Sequence, residues 1–410
     1  MIEPELVSLA DRFAPTDLAF IEDPYPIYEE MRERAPLLYH EPTDHWLVSR
    51  YDDVNALLRD RRLGRTYLHL ASHEEMGHPE PPARQDPFWW LINNGILDME
   101  PPRHTRVRRL VSKAFTPRTV EALRPTIQTI TDGLIDGVDA AGGFDLIADF
   151  AEPLPVTVIA ELLGVPEADR GLLRPWSAEI CLMYELNPSE DFQRRAATAS
   201  TEFADYLRRL LHERTERPGS DLISELAQVV DEGERLTEAE LIGTCVLLLN
   251  AGHEATVNAT GLGWWTLFRH PSDLARLRAD PDALLPAAVE ELLRLDTPLQ
   301  MFERWVLEDI ELHGQRIPRG AELGLIFGSA NHDPSVFDRP DELNLTRKPN
   351  EHLTFGAGIH FCLGAPLARA ELQISFGTLL RRFPRLEPAG TPPWKPNYIL
   401  RGLESLRVRG

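Results

Sequence analysis

A single long helical pattern sets the size of the fold. Thr237 and Glu240 match a capping box, in which two side chains three residues apart satisfy free amides at a helix start. The apolar periodicity then continues to Arg269, and His270 and Pro271 end it. At about 1.5 Å per residue this helix is roughly 50 Å long. Because such a helix crosses an entire domain, we predict a large fold built around it.

The rest of the chain also has mainly helical periodicity. Apolar residues recur at three- and four-residue intervals in segments 51–60, 106–113, 121–138, 155–163, 194–213 and 284–295. Shorter segments at 37–40, 46–49 and 308–327 predict a hairpin and small antiparallel strands. Neither a linker nor a repeat divides the 410 residues. We therefore predict one mainly α domain over residues 1–410 with small antiparallel β-sheets.

Charge and cysteine content restrict the partners and the compartment. A net charge of −22 repels nucleic acid and anionic membranes. The three cysteines, Cys181, Cys245 and Cys362, are widely spaced and odd in number, which favours a reducing compartment over a disulfide framework. Residues 1–10 lack a signal-peptide pattern, and the apolar stretch 241–251 is about half a membrane span. We expect a cytoplasmic protein without nucleic-acid or membrane partners.

The middle of the long helix contains an unusual glycine. Gly252 costs a helix interior about 1 kcal/mol relative to alanine, and it lies between Ala251 and the acidic Glu254. This pattern suggests that a flat group lies close to the helix backbone. A close contact between two helices, with Glu254 in solvent, explains it equally well. The sequence leaves both interpretations open.

The segment before Cys362 predicts a tight loop. Gly356 and Gly358 permit positive backbone dihedrals, and residues 363–376 have a helical pattern. Cys362 therefore lies at a predicted helix N-terminus, where free amides and the helix dipole stabilise a thiolate. Cys181 and Cys245 lack such surroundings, and we interpret them as buried apolar residues.

The segment Phe355–Gly364 resembles the cysteine loop of the cytochrome P450 family. All six fixed positions of the pattern Phe-Gly-x-Gly-x-His-x-Cys-x-Gly are matched. The resemblance implies a P450 fold with a long central helix, haem b as the cofactor and Cys362 as the iron ligand. A thiolate ligand favours O–O cleavage. The implied activity is that of a monooxygenase that uses O2 to hydroxylate or epoxidise a hydrophobic small molecule.

Further motifs follow the order of that family. Glu291 and Arg294 match its Glu-x-x-Arg helix, and Arg347 matches the arginine that completes the structural cluster. The implied partners of the haem propionates are His104, Arg108, Arg304 and His360. The implied neighbours of the haem ring are Phe115, Ala251, Gly252, Phe355, Gly356 and Gly364.

The chain departs from the family in the central helix. The resemblance places the catalytic acid and alcohol at Glu254 and Ala255, but residue 255 is an alanine and Thr256 lies one position later. Successive helical residues are about 100° apart, so Thr256 does not simply replace the alcohol. We hypothesise that a substrate hydroxyl, or a water that it fixes, supplies the missing hydrogen bond. Ordered water acting with any substrate is the alternative.

The resemblance implies an apolar substrate pocket. Its expected lining residues are Trp89, Trp90, Ile92, Met183, Leu248, Leu299, Met301 and Ile399. Asn93, Asn94 and Gln300 are its expected polar anchors. The aromatic run around Trp90 is equally consistent with core packing. A lining of this kind favours a hydrophobic substrate of modest to large size.

Electron supply is expected to come from separate proteins. Residues 103–118 contain six basic side chains and no acid, which indicates either a solvated face or a positive docking patch. No dinucleotide-binding glycine motif is present. The resemblance therefore implies a ferredoxin with its ferredoxin reductase, acting on a monomer. Two alternatives are a peroxide-driven peroxygenase and a haem-binding protein without catalytic activity.

Overall fold

The long predicted helix is the central element of the computed structural model, which describes residues 9–139, 142–186 and 188–410. It extends from Glu238 to Arg269. The Thr237 side chain accepts a hydrogen bond from the Glu240 amide, and the Glu240 side chain accepts one from the Thr237 amide. The predicted capping box and helix end are therefore confirmed. Most of the N-terminal segment discussed above, residues 1–8, lies outside the described residues.

Helices dominate the architecture, as the periodicity predicts. In chain order they are α1 (Leu18–Glu22), α2 (Tyr25–Arg34), α3 (Tyr51–Leu57), α4 (His73–Met76), α5 (Asp86–Asn93), α6 (Arg103–Ala114), α7 (Pro117–Asp136), α8 (Pro153–Leu163), α9 (Arg170–Cys181), α10 (Glu190–Glu216), α11 (Leu222–Gln228), α12 (Glu238–Arg269), α13 (Pro271–Ala279), α14 (Pro281–Leu295), α15 (Phe327–Ala330) and α16 (Ala365–Arg382). A π-helical turn at Leu146–Ala151 precedes α8. Each of the six segments predicted to be helical lies mainly within one of these helices.

The strands form three small sheets. They are β1 (Leu37–His40), β2 (His45–Val48), β3 (Leu63–Gly64), β4 (Phe144–Asp145), β5 (Met301–Val306), β6 (Ile310–Leu312), β7 (Gln315–Ile317), β8 (Glu322–Ile326), β9 (Glu387–Pro388) and β10 (Arg407–Arg409). The largest sheet has the order β1-β2-β8-β5-β3, and the others are β4-β10-β9 and β6-β7. The predicted hairpins β1-β2 and β6-β7 are antiparallel, but β8 pairs with β2 in parallel. The largest sheet is therefore mixed, because a strand far along the chain inserts beside the first hairpin.

The helical core surrounds α12. This helix packs against α5, α8, α9, α10, α14 and α16. Most of its side chains are buried, including Trp264 and Leu249. Within the described ranges, no helix combines the length and the apolar character needed to cross a membrane. The middle of α12 thus lies deep in the molecule, opposite the segment that contains Cys362.

Candidate active site

The cysteine loop has the tight geometry that its glycines predict. Gly356 and Gly358 have φ values of 67° and 70°, in the left-handed region that glycine tolerates. At Gly358 an added Cβ would lie 2.5 Å from the Leu58 carbonyl oxygen, so a side chain has no room there. The Cys362 amide donates to the Phe355 carbonyl at 3.0 Å, which closes the loop. Cys362 is thereby held just ahead of α16.

The sulfur of Cys362 lies in a mixed electrostatic environment. Burial raises the pKa of the thiol above its usual value, although the amides of Gly364 and Ala365 and the guanidinium of Arg108 act in the opposite direction. These amides and Arg108 favour the thiolate, because each places positive charge near the sulfur. The predicted position at a helix N-terminus is confirmed, since α16 begins at Ala365.

A cavity of about 370 Å³ separates this loop from α12. On one side it is lined by Phe355, Gly356, Cys362, Leu363 and Gly364, and on the other by Ala251, Gly252, Ala255, Thr256 and Ala259. Small residues on α12 leave a slot between the helix and the sulfur. Gly252 also serves a helix contact, since a Cβ there would lie 3.3 Å from Ile159 of α8. The helix contact is therefore present, whereas the flat group against Gly252 stays a prediction.

One end of the cavity is polar and cationic. His104, Arg108, Arg304 and His360 all line it, as predicted, and the rings of the two histidines lie 4.4 Å apart. Neither ring nitrogen of His104 has a hydrogen-bond partner among the described residues. Burial, followed by the charge of Arg65, lowers the pKa of Arg304 to about 9. Arg304 with the neighbouring Arg65, together with the unpartnered ring of His104, suits a ligand that carries carboxylates.

Arg65 is a member of this group that the sequence did not indicate. It lines the cavity and forms an ion pair with Asp98 at 3.0 Å. Its guanidinium also lies 4.5 Å from the centre of the Phe302 ring. No motif marks this arginine, because its partners come from distant parts of the chain.

A buried ion-pair cluster supports the segment before the cysteine loop. Glu291 and Arg294 are fully buried and form two hydrogen bonds, at 2.8 and 2.9 Å. Arg347 donates from Nε to both Glu291 oxygens at 3.0 Å. Arg294 also donates to the carbonyls of Asn331 and Pro340. The predicted three-residue cluster is present, and its remaining donors hold backbone that leads towards Cys362.

Comparison with known proteins agrees with this geometry. The family model described as Cytochrome P450 matches residues 173–401. The polyketide biosynthesis cytochrome P450 PksS of Bacillus subtilis is 39% identical over 97% of this chain and 98% of its own. The 6-deoxyerythronolide B hydroxylase of Saccharopolyspora erythraea is 40% identical, over 95% of this chain and 97% of its own. The chain belongs to the cytochrome P450 family.

Solved structures place the fold in the same family. P450BioI, in complex with an acyl carrier protein ligated to hexadec-9Z-enoic acid, has a TM-score of 0.89 and 37% identity and covers 96% of this chain and 99% of its own. The P450 fold is therefore confirmed. The protein is an oxidoreductase of the monooxygenase type with haem b as its cofactor. The slot between Cys362 and α12, with its cationic end, fits a flat dicarboxylate such as haem.

The acid of α12 lies outside the cavity lining. Ala255 and Thr256 line the P450 cavity, but Glu254 does not. Instead, Glu254 lies 3.3 Å from the Lys395 ammonium, which also donates to Asn258 at 3.2 Å. Thr256 is the polar side chain of this stretch that lines the cavity beside Ala255.

Seven of the eight side chains expected to form the substrate pocket line the cavity: Trp89, Ile92, Met183, Leu248, Leu299, Met301 and Ile399. Trp90 does not line it. Trp90 is 39% exposed, and its ring lies 6.0 Å from the Arg208 guanidinium. Trp89 and Ile92 share one face of α5, whereas Trp90 is turned about 100° away from Trp89.

The polar groups in the pocket also differ from those expected. Asn93, Asn94 and Gln300 do not line the cavity, and Gln300 is buried against Tyr28 and Thr297. Tyr184, Glu185 and Asn250 line it instead. The Glu185 carboxylate accepts hydrogen bonds at 3.0 Å from the amides of Tyr398, Ile399 and Leu400. Sequence offered no signal for this contact, which joins segments far apart in the chain.

The basic run on α6 is largely neutralised. Four of its cations are paired with acids that follow much later in the chain. Arg103 and Arg106 pair with Glu240 at the start of α12, and Arg109 and Lys113 pair with Asp231 in the α11–α12 connection. Arg108 turns inward and donates to the Phe361 carbonyl. These ion pairs reduce the positive charge that the run presents and weigh against the docking-patch interpretation. The local composition did not reveal the pairing, because the neutralising acids follow more than a hundred residues later.

Proposed function

We propose that Cys362 provides the thiolate ligand of the haem iron in a monooxygenase that oxidises a hydrophobic small molecule. The observation that carries this proposal is the sulfur's position opposite the small residues of α12, across a slot with a cationic end. When bound, haem supplies the activation of O2 and the transfer of one oxygen atom to the substrate. We treat the whole chain, residues 1–410, as one catalytic domain.

The proposed haem contacts lie at the cationic end of the slot and along its walls. His104, Arg108, Arg304 and His360 are the proposed partners of the propionates, and Arg65 joins them. The proposed ring contacts are Phe115, Ala251, Gly252, Phe355, Gly356 and Gly364, all of which line the cavity. We assign Glu291, Arg294 and Arg347 a structural role, since all three are buried away from that lining.

We propose an apolar substrate of modest to large size. Aromatic and aliphatic side chains surround the cavity on the side away from the cationic end. Tyr184 and Asn250 offer it a hydroxyl and an amide. Burial raises the pKa of Tyr184, so its hydroxyl stays protonated and can donate a hydrogen bond. A substrate with one or two hydrogen-bonding groups on an apolar skeleton meets these requirements.

Proton supply is proposed to depend on the substrate. Ala255 offers no hydroxyl, and Glu254 is paired with Lys395 outside the cavity lining. A hydroxyl on the substrate, or a water that it holds, then provides the missing hydrogen bond. The variant Ala255→Thr tests this idea through the ratio of product formed to O2 consumed. That ratio should improve for substrates without a hydroxyl and stay unchanged for those with one; an equal response of both groups contradicts the idea.

Electrons are proposed to come from a ferredoxin and its reductase in the cytoplasm, acting on a monomer. The free state of all three cysteines is consistent with a reducing compartment. Ile359 and Phe361 in the cysteine loop are 49% and 42% exposed, so two large apolar side chains lie two residues apart on the surface beside Cys362. A small apolar docking face beside Cys362, rather than a broad basic patch, would bring the donor close to the haem.

Carbon monoxide spectroscopy tests the central proposal. Reduced protein with carbon monoxide should give the red-shifted Soret band of a thiolate ligand. Cys362→Ser should abolish that band, and Cys245→Ser, a buried cysteine remote from the cavity lining, should retain it. An imidazole-like spectrum from the parent protein refutes the proposal. Turnover with ferredoxin, reductase and NAD(P)H separates the monooxygenase from a peroxygenase, which needs peroxide, and from a non-catalytic haem protein.

A further inference from the structure

Three potential metal ligands converge on the largest β-sheet. His45 begins β2, Glu303 lies on β5 and Glu322 begins β8, the strand between them. His45 Nε2 lies 3.5 Å from a Glu322 oxygen and 3.9 Å from a Glu303 oxygen. All three ligand atoms lie within 4.8 Å of one another. The parallel pairing of β2 with β8 creates this arrangement, because it places His45 directly beside Glu322.

The His45 ring is oriented as a metal ligand is. Its Nδ1 contacts the Thr43 carbonyl oxygen, which can only accept, so Nδ1 carries the hydrogen. In the neutral ring, Nε2 then presents a lone pair towards Glu303 and Glu322. His45 is 6% exposed, and its Nε2 has no hydrogen-bond partner in the described part of the chain. A second contact from the other ring nitrogen to a backbone carbonyl is typical of histidines that bind metals.

The charges at this point are unbalanced. The unpartnered Nε2 of His45 and the carboxylates of Glu303 and Glu322 face one another, with all three ligand atoms within 4.8 Å. Arg65 lies 3.7 Å from Glu303, but its shorter ion pair, at 3.0 Å, is with Asp98. Arg65 therefore compensates only part of the negative charge. A cation between the three side chains would remove the repulsion.

We propose that His45, Glu303 and Glu322 form a binding site for a divalent cation of the Zn²⁺ class. One imidazole and two carboxylates give a neutral site with Zn²⁺, and imidazole favours this ion over Mg²⁺ or Ca²⁺. Bonds of about 2.0–2.2 Å in a tetrahedron place ligand atoms roughly 3.3–3.6 Å apart. The measured separations require only small side-chain shifts. A water can complete the tetrahedron on the side of Glu303, whose side chain is 29% exposed.

The bound ion would have a structural effect. It would connect β2, β8 and β5 through side chains in addition to their ladder hydrogen bonds. Arg304 follows Glu303 directly and lines the cavity. Zinc binding would therefore stiffen the strand that carries a cationic group of the haem slot. The site itself does not depend on the function proposed above.

Calorimetric titration with ZnCl2 tests the site. Tag-free, haem-loaded protein is first treated with a chelator and dialysed. We expect one tight equivalent of Zn²⁺ in the parent protein and in His212→Asn, the matched control. His212 is exposed and lies 3.4 Å from Glu216, so it offers a histidine–glutamate pair without a third ligand. His45→Gln and Glu303→Gln should lower the affinity about 100-fold or more.

Several outcomes overturn the proposal. One is that the parent protein binds no tight equivalent of Zn²⁺. Another is that the parent protein and a correctly folded His45→Gln bind Zn²⁺ with equal affinity. Far-ultraviolet circular dichroism and haem content establish the folding of each variant. Nitrogen-15 chemical shifts provide an independent check. An imidazolium at His45 that persists with excess Zn²⁺ means that a proton, not a metal, occupies the gap.

Discussion

The buried Glu291 cluster allows a quantitative prediction. Glu291→Gln keeps the shape of the side chain but replaces one acceptor oxygen by an NH2 group. That group then faces the hydrogen-bond donors that surround the native carboxylate. The native oxygens receive two hydrogen bonds from Arg294, contacts from Arg347 Nε at 3.0 Å, and hydrogen bonds from Asn344 N at 3.0 Å and Asn350 Nδ2 at 3.1 Å. The variant leaves two buried guanidinium groups without a counter-charge. Removing one partner of such a pair costs about 3–5 kcal/mol of unfolding free energy.

The neighbouring residue provides a matched control. Glu290 forms a bidentate pair with Arg369 at 2.7 Å and lies 3.1 Å from His352 Nε2, but the side chains of Glu290 and Arg369 are partly exposed. Glu290→Gln should therefore cost less than Glu291→Gln, about 1–2 kcal/mol. Urea unfolding, followed by circular dichroism and by the Soret band, measures the loss of unfolding free energy in both variants. The unfolding free energy of a chain of this size falls by at least about 3 kcal/mol per M of urea, so Glu291→Gln should lower the urea midpoint by on the order of 1 M. Equal midpoints for the two variants would refute this reasoning.

Two further pairs of variants test the pocket and the loop. Trp89→Ala should weaken ligand binding about tenfold in spin-state titrations, because it removes an apolar wall, whereas Trp90→Ala should leave the affinity unchanged. Gly358→Ala should lose most of its haem, since its Cβ would meet a carbonyl oxygen at 2.5 Å in a left-handed backbone. Gly356→Ala has the same backbone strain but nothing closer than 4.0 Å, so haem content, read from the Soret band, should fall less.

Local patterns made the main features of the fold and site predictable. The capping box at Thr237 fixes the start of α12 through contacts within four residues. Gly356 and Gly358 likewise fix the cysteine loop through their own dihedrals. The first two of these predictions required only neighbouring residues. The buried pairing of Glu291 with Arg294 was expected from the family resemblance, and their spacing of three residues places them on one helix face.

Most features that the sequence did not indicate depend on contacts between distant segments. Glu254 faces Lys395, the basic residues of α6 meet acids of the α11–α12 connection and the start of α12, and β8 inserts beside β2. The outward position of Trp90 has a local reason, because the apolar pattern of a short helix such as α5 does not fix which of its aromatic side chains faces the core. Arg65 carries no motif, and its role depends on where Asp98 and Arg304 are placed by the fold.

The three amide hydrogen bonds to Glu185 have a consequence for how selectivity can change. They tie the segment after Met183 to the segment that carries Ile399, so separating these two walls of the pocket would break hydrogen bonds. A bulkier ligand that displaces one wall would therefore strain these bonds or displace the other wall as well. Enlarging the pocket by trimming a single side chain is therefore less effective than paired substitutions on both segments, and Glu185 itself determines how far the two walls can separate.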